Sequence, residues 1–141
     1  MKRGGDAVTA STSRYVLDSF ALLAHLQDEP GAARVRAVLE AGAQARAELY
    51  LSVVNFGEVI YIIEREKGLP AAQRVIAAVD QLPLTVVEAD RALTLAAAHL
   101  KVQHPIAYAD AFAAALAQSR DAILLTGDPE MKAVQAQVRV E

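Results

Sequence analysis

The sequence predicts an α/β domain built on a largely parallel sheet. Four short, nearly continuous apolar runs are typical of strands that are buried on both faces. Helical patterns separate these runs along the chain, and strands that alternate with helices form crossovers that leave the strands parallel to one another. The length of 141 residues fits one such domain.

The apolar runs and the helical periodicity divide the chain into elements. Strands are predicted over residues 15–17, 48–52, 83–87 and 122–126. Helices are predicted over residues 19–27, 31–43, 53–67, 71–80, 89–101 and 107–119. Gly68 and Pro70 mark the end of the third helix, and Pro129 opens a short turn or helix. The segment "QVRVE", 137–141, is a candidate edge strand.

Residues 14–141 are expected to form this single domain. Residues 1–13 contain two basic residues but no apolar core of the kind found in secretory signals, so we expect a disordered leader. No apolar run approaches the roughly 20 residues of a membrane span. We therefore expect a cytoplasmic protein that does not associate with membranes.

Composition narrows the possible chemistry. The chain has no cysteine, which excludes disulfides, thiolate metal sites and a cysteine nucleophile, and its three histidines lack the close spacing of a zinc motif. The net charge of −3 argues mildly against nucleic-acid binding. That argument is limited, because a local patch or bound cations can reverse the local field.

Two acidic residues follow strands of the predicted sheet. Asp18 and Ser19 come directly after the first strand, and Asp128 comes after the last central strand, which ends near Thr126. The carboxyl ends of parallel strands meet at one edge of an open sheet, and ligands bind outside that edge. Asp18 and Asp128 are therefore expected to converge although they are far apart in the sequence.

The helices contribute two further acidic residues. Asn55 and Glu58 are three residues apart on one face of the helix that follows the second strand. Asp110 is the one charged residue within the small, apolar segment "AYADAFAAALA", 107–117, and no cation lies three or four residues away from it. A lone acid in that position faces either water or a cation.

Structural roles stay open for each acid taken alone. Asp18, Ser19 or Asp128 can cap a helix, and Glu58 can occupy a solvated helix position. Asp110 can accept from backbone donors in a first helical turn, and a structural role of that kind is expected for Asp90. The joint placement of four acids favours a shared site instead.

A shared acidic site calls for a cation. Crowded carboxylates repel one another and become protonated unless positive charge compensates them. Oxygen ligands favour Mg²⁺ or Mn²⁺ over zinc, and such a cation suits the hydrolysis of phosphodiesters.

Four segments together resemble a known family. "YVLDSFALLAHL", "NFGEVIY", "AYADAFAAALA" and "LLTGDPEM" are similar to segments of the PIN-domain ribonucleases, and within them of the VapC-like toxins of bacterial toxin–antitoxin pairs. The resemblance runs from Tyr15 to Val140. It implies a three-layer α/β/α sandwich with a central, mostly parallel sheet of four or five strands. It also implies Mg²⁺- or Mn²⁺-dependent cleavage of single-stranded RNA, a homodimer, and an antitoxin that blocks the site.

The resemblance also assigns roles to individual residues. The acidic metal-binding and catalytic set comprises Asp18, Glu58, Asp110 and Asp128. Ser19, Asn55 and Thr126 match the polar residues that accompany this set. Met131 departs from the family pattern, because these toxins often carry an aromatic residue at that position. We expect this departure to affect only the local packing.

Two other functions are consistent with parts of the sequence. A phosphoacceptor domain would use Asp18 as its covalent site. Its phosphatase-like version needs an aspartate two residues later, where this chain has Phe20, and its receiver-like version needs paired acids after strand one and a late lysine that are not evident. A catalytically silent PIN-like interaction module is the other alternative, and the complete acidic set argues against it.

Overall fold

The computed structural model describes residues 12–135 and 139–140. A leader is predicted over residues 1–13, and residues 1–11 of it lie outside the described part of the chain. Ser13, the last residue of the predicted leader, already belongs to the first strand. Of the predicted edge strand over 137–141, the described residues are Arg139 and Val140, which pair with Ile123 and Leu124 in parallel orientation.

All strand pairs of the described sheet are parallel, as the alternation of strands and helices predicts. The strands are β1 (Ser13–Leu17), β2 (Ala47–Ser52), β3 (Thr85–Val87), β4 (Ile123–Leu125) and β5 (Arg139–Val140). Their order across the sheet is β3-β2-β1-β4-β5. Leu17 at the end of β1 pairs with Leu51 on one side and with Leu125 on the other. Three central strands therefore end side by side.

In the part of the chain that the structure describes, six α-helices connect the strands, and a short 3₁₀ helix follows β4. The helices are α1 (Ser19–Gln27), α2 (Ala32–Ala43), α3 (Val53–Lys67), α4 (Leu69–Asp80), α5 (Arg91–Gln103) and α6 (Tyr108–Arg120), with the 3₁₀ helix at Pro129–Val134. Among the described residues, none of these helices has the length and apolar character needed to cross a membrane.

Two of the differences between the observed and the predicted elements lie at prolines, while the first strand starts at Ser13 instead of residue 15 and α5 covers Arg91–Gln103 instead of residues 89–101. Helix α4 starts at Leu69 instead of residue 71, because Pro70 fits the first turn of a helix, where no amide hydrogen is needed. Strand β3 starts at Thr85 instead of residue 83, since Pro83 has no amide hydrogen to donate to a sheet.

Helices cover both faces of the sheet and create two sides of the core. Val16 and Leu124 pack with residues of α5 and α6, whereas Leu17 and Leu51, which point to the opposite face, pack with residues of α1 to α4. Helix α6 is buried throughout residues 111–117, where its alanines allow close contact with its neighbours. This arrangement confirms the predicted α/β/α sandwich and brings the first turn of α6 to the carboxyl edge of the sheet.

Candidate functional site

Asp18 is the most deeply buried acid of the described chain. It directly follows β1, is 0% exposed, and caps helix α1 by accepting a 2.8 Å hydrogen bond from the Ala21 amide with Oδ1. Its second oxygen, Oδ2, is buried and has no hydrogen-bond partner. Capping therefore explains one oxygen of this carboxylate, and the other is left for a different partner.

Burial also changes the acidity of Asp18. Desolvation is the main cause that raises the pKa of Asp18 from 3.8 to about 7, and the charges of Asp110 and Asp128 raise it further. The nearby Thr126 side chain and the Ala21 amide lower the pKa of Asp18, because both favour the ionised carboxylate. The structure thus brings the acids that follow β1 and β4 into electrostatic contact, together with Thr126.

Asp110 lies in the first turn of α6 at the same edge of the sheet and is half-buried. Desolvation is the main cause that raises its pKa from 3.8 to about 6, followed by the negative charges of Asp128, Glu58 and Glu130. A hydrogen bond with the backbone of Ala107 lowers the pKa. Asp110 is therefore the point at which acids from α3, α6 and the segment after β4 meet.

Glu58 and Asp128 complete the predicted acidic set, and both are partly exposed. Asp128 caps the 3₁₀ helix, since its Oδ1 accepts from the Glu130 amide at 3.0 Å, and its own amide donates to Thr126 Oγ1 at 3.0 Å. The four predicted acids thus come from four separate segments of the chain and influence one another at one edge of the sheet.

Glu130 is an acid that sequence reasoning missed. It contributes to the raised pKa of Asp110, although it is exposed and lies two residues after Asp128. The signal for it was present in "TGDPE", because a Pro directly after an N-cap starts a helical turn. Such a turn places the second acid near the first.

Asn55 connects three helices next to the acids. It is 0% exposed, and its Nδ2 donates to Ser19 Oγ at 3.1 Å and to the Ala109 carbonyl at 3.2 Å. The Ser19 hydroxyl donates in turn to the Asn55 carbonyl at 3.3 Å. The buried Oδ1 of Asn55 has no hydrogen-bond partner. Ser19 and Asn55, both predicted to accompany the acids, therefore fix α1 and the first turn of α6 relative to α3.

Comparison with known proteins identifies the family. The sequence model of the PIN domain matches residues 15–137. The chain belongs to the PIN-domain family. Comparison with curated protein sequences finds no match.

Solved structures share the PIN fold of this chain. VapBC2 from Rickettsia felis, bound to a DNA fragment from its promoter, superposes with a TM-score of 0.74 at 17% identity, over 91% of this chain and 97% of that one. DNA-bound VapBC from Salmonella typhimurium gives 0.73 at 18% identity, over 92% and 98%. VapC20 from Mycobacterium tuberculosis, described as a sarcin-ricin loop cleaving toxin, gives 0.67 at 17% identity, over 85% and 94%. At these identities the likeness shows the fold.

The residues at the edge of this PIN domain suit a divalent cation. Every candidate ligand is an oxygen, the set that Mg²⁺ and Mn²⁺ prefer. Asp18 Oδ2 and Asn55 Oδ1 are buried without partners, and the pKa values of Asp18 and Asp110 are raised in the absence of positive charge. Within the described residues, no group of three or more acidic or histidine side chains could hold a metal ion by itself. An ion at this acidic rim, the edge lined by Asp18, Glu58, Asp110 and Asp128, would therefore keep several waters, as Mg²⁺ commonly does.

Met131 occupies the position at which the sequence departs from the family pattern. Its side chain is 0% exposed and packs in the same part of the core as α5 and α6. The PIN domain thus fills this position with an unbranched, adaptable side chain.

Proposed function

We propose that this PIN domain is an endoribonuclease that depends on Mg²⁺ or Mn²⁺ and acts as the toxin of a toxin–antitoxin pair. The observation that carries the proposal is the convergence of acids from four segments at the carboxyl edge of the sheet, centred on Asp110. The description of one fold relative as a sarcin-ricin loop cleaving toxin supports the substrate class.

The chain's own residues would share the work as follows. Asp18, Asp110 and Glu58 hold the cation directly or through its waters, and Asp128 completes the site or helps to place a second ion. A bound divalent cation polarises a phosphoryl oxygen, favours ionisation of water and offsets charge on the leaving oxygen. Asn55 keeps Ser19 and the first turn of α6 in place, so that Asp18 and Asp110 stay together.

The reaction is hydrolysis of a phosphodiester. Water attacks the phosphorus in line and its proton passes to a carboxylate of the acidic set, while the bond to the 3′ oxygen breaks and that oxygen takes a proton from solvent water. The products carry 5′-phosphate and 3′-hydroxyl ends.

RNA cleavage tests this proposal directly. The purified chain is incubated with labelled single-stranded RNA and Mn²⁺, and we expect cleavage that EDTA abolishes and that yields 5′-phosphate ends. Asp110→Asn should lower the rate by about 10²–10³-fold, because the isosteric amide does not bind the cation as a carboxylate does. Cleavage that persists in EDTA, or an Asp110→Asn variant with the rate of the wild type, contradicts the assignment.

Asp121→Asn is the matched control. Asp121 is exposed at the other end of α6, in a left-handed conformation that asparagine tolerates well. This variant removes the same charge from the same helix and should cleave RNA at the rate of the wild type. A silent interaction module, the remaining alternative, predicts no Mn²⁺-dependent cleavage by any of the three proteins. The phosphoacceptor alternative predicts that a phosphoryl analogue modifies Asp18.

A partner protein and a second copy of the chain belong to the same proposal. Solved relatives of this fold are VapBC complexes, and large apolar side chains are exposed on α3 and α4, namely Tyr61, Leu69 and Ile76. We expect an antitoxin that blocks the site, a homodimer, and action in the cytoplasm, where RNA is accessible. Expression of the wild-type chain in a bacterial host should stop growth, whereas expression of Asp110→Asn should not. Co-expression of the wild type with the product of the adjacent reading frame should restore growth.

A further inference from the structure

A small apolar cavity adjoins the acidic rim. It has a volume of about 120 Å³ and lies between α1, the start of α2 and the segment after β4. Ala21, Val35 and Leu125 contribute apolar walls, and Thr126 and Gly127 connect the cavity to Asp128. The cavity is smaller than the roughly 300–1,000 Å³ of sites for drug-sized ligands, so it suits a single planar ring.

Phe20 forms one side of this cavity and is kept in place by Gly127. The side chain is 47% exposed although it follows the buried Asp18 by two residues. A Cβ atom at Gly127 would lie 2.6 Å and 2.8 Å from two carbons of the Phe20 ring. The ring therefore lies directly against the glycine, and any other residue at position 127 would displace it.

We propose that this cavity binds one nucleobase of the RNA strand, next to the phosphate that lies at the acidic rim. The inference rests on the proposed function, because the occupant is part of the proposed substrate. Single-stranded RNA is recognised by stacking of unpaired bases on aromatic rings and on arginine guanidinium groups. Phe20 lines the cavity and supplies such a ring, whereas the guanidinium of Arg34, which also lines the cavity, lies over the Tyr15 ring.

The charge of the chain strengthens this assignment. A net charge of −3 and a rim of acids attract the RNA backbone less than a strongly basic surface would. Contacts with bases would add to the affinity for RNA. An apolar cavity that is lined by Thr126 and Gly127, directly before Asp128 in the chain, provides such a contact, whereas other exposed aromatic residues, such as Tyr61, do not line it.

Binding of RNA hexamers that each lack one base tests the proposal. The intact single-stranded hexamer and six versions with one abasic nucleotide are measured by fluorescence anisotropy, with Ca²⁺ in place of Mn²⁺ to slow cleavage. For the wild-type chain, removal of the base that occupies the cavity should weaken binding by roughly 5- to 100-fold, the range for one stacked base. Phe20→Leu keeps the apolar contact but removes the ring. In this variant, removal of the same base should weaken binding by less than about twofold.

Two further variants separate the cavity from general effects on folding or binding. Gly127→Ala should reproduce the result of Phe20→Leu by displacing the ring, and it changes none of the acids. Tyr61→Leu removes an equally exposed aromatic from α3 and should keep the base dependence of the wild type. Thermal unfolding of each variant verifies that it is folded.

The outcomes distinguish this inference from the nuclease proposal. If the chain cleaves RNA but the wild type and Phe20→Leu lose the same affinity at each abasic position, the cavity assignment is overturned and the nuclease proposal stands. A base dependence that requires Phe20, without any cleavage in Mn²⁺, supports the cavity and overturns the nuclease. No binding of any hexamer by the wild type overturns the cavity assignment. If Phe20→Leu binds RNA as the wild type does but no longer binds the antitoxin, the cavity belongs to a segment of the partner protein. That result overturns the assignment to a nucleobase as well.

Discussion

Helices α1 and α5 both begin at an aspartate, and the two aspartates have opposite surroundings. Asp18 and Asp90 share an extended backbone and accept a 2.8 Å hydrogen bond with Oδ1 from the amide three residues later. Asp90 is exposed, whereas Asp18 is 0% exposed and its Oδ2 has no partner. An exposed carboxylate is enough to cap a helix, so capping does not explain why Asp18 is buried.

The cost of burying Asp18 has to be offset by something other than the cap. An ionised carboxylate in an apolar interior is destabilising unless it is paired, and here the neighbouring groups with charge are the acids Asp110 and Asp128. A proton or a divalent cation can neutralise such a group. We therefore propose that Asp18 serves a site, whereas Asp90 serves the fold.

The largest expected effect is on RNA cleavage. Asp18→Asn keeps the N-cap, because asparagine is as good a cap as aspartate, but removes the charge. We expect cleavage in Mn²⁺ to fall by about 10²–10³-fold in Asp18→Asn and to stay within about twofold of the wild type in Asp90→Asn. Initial rates on one labelled RNA check this. Equal rates for the two variants would break the distinction between the two aspartates.

The pH dependence of stability without metal is the next effect in size. The pKa of Asp18 is about 7 in the folded protein and 3.8 ordinarily, so between about pH 4 and 7 the folded state binds more protons than the unfolded chain. The free energy of unfolding therefore falls as the pH rises through this range, by an amount on the order of 2–4 kcal/mol. Asp110, with a pKa of about 6, contributes in the same direction.

Thermal unfolding in EDTA at pH 5 and pH 8 measures this dependence. The wild type should have the higher Tm at pH 5, by about 5–10 °C. Asp18→Asn should lose most of that difference and unfold at a higher temperature than the wild type at pH 8, while Asp90→Asn should behave like the wild type. A wild-type Tm that does not change with pH, or a slope unaffected by Asp18→Asn, would show that Asp18 is not a strained buried acid.

Stabilisation by Mn²⁺ is a smaller effect. A ligand at 10 to 100 times its Kd stabilises the folded state by about 1.4–2.7 kcal/mol, which corresponds to a rise in Tm of about 3–8 °C for a chain of this size. We expect this rise at pH 7.5 in the wild type and in Asp90→Asn, and its loss in Asp18→Asn and Asp110→Ala. Differential scanning calorimetry with and without Mn²⁺ provides the measurement. A rise in Asp18→Asn equal to that of the wild type would place the ion elsewhere.

The sequence predicted the fold because its strongest signals are local. The run Tyr15–Leu17 and the helix that follows it require only a buried strand and an N-cap, and the topological rule for parallel sheets then brings Asp18 towards Asp128. The convergence on Asp110 followed from its isolation in an apolar helix. These steps need no knowledge of side-chain conformations.

Other features of the site depend on contacts between segments, which a single sequence does not reveal. Phe20 looks like one more apolar residue of α1, and its position against Gly127 depends on how the segment after β4 turns. Glu130 has its effect on Asp110 only through the geometry of the 3₁₀ helix. The hydrogen bond from Asn55 to the Ala109 carbonyl likewise joins residues that are 54 positions apart.

The smallest expected effect measures the value of a cap alone. Asp90→Ala removes the hydrogen bond to the Leu93 amide and should lower the free energy of unfolding by about 1 kcal/mol, whereas Asp90→Asn should leave it nearly unchanged. Urea unfolding of the three proteins checks this, with RNA cleavage expected to be equal in all of them. A loss of cleavage in folded Asp90→Ala would show that the start of α5 also belongs to the site. Equal cleavage would show that an aspartate can cap a helix of this fold without serving its chemistry, and Asp18 would then be distinguished from Asp90 by its second oxygen.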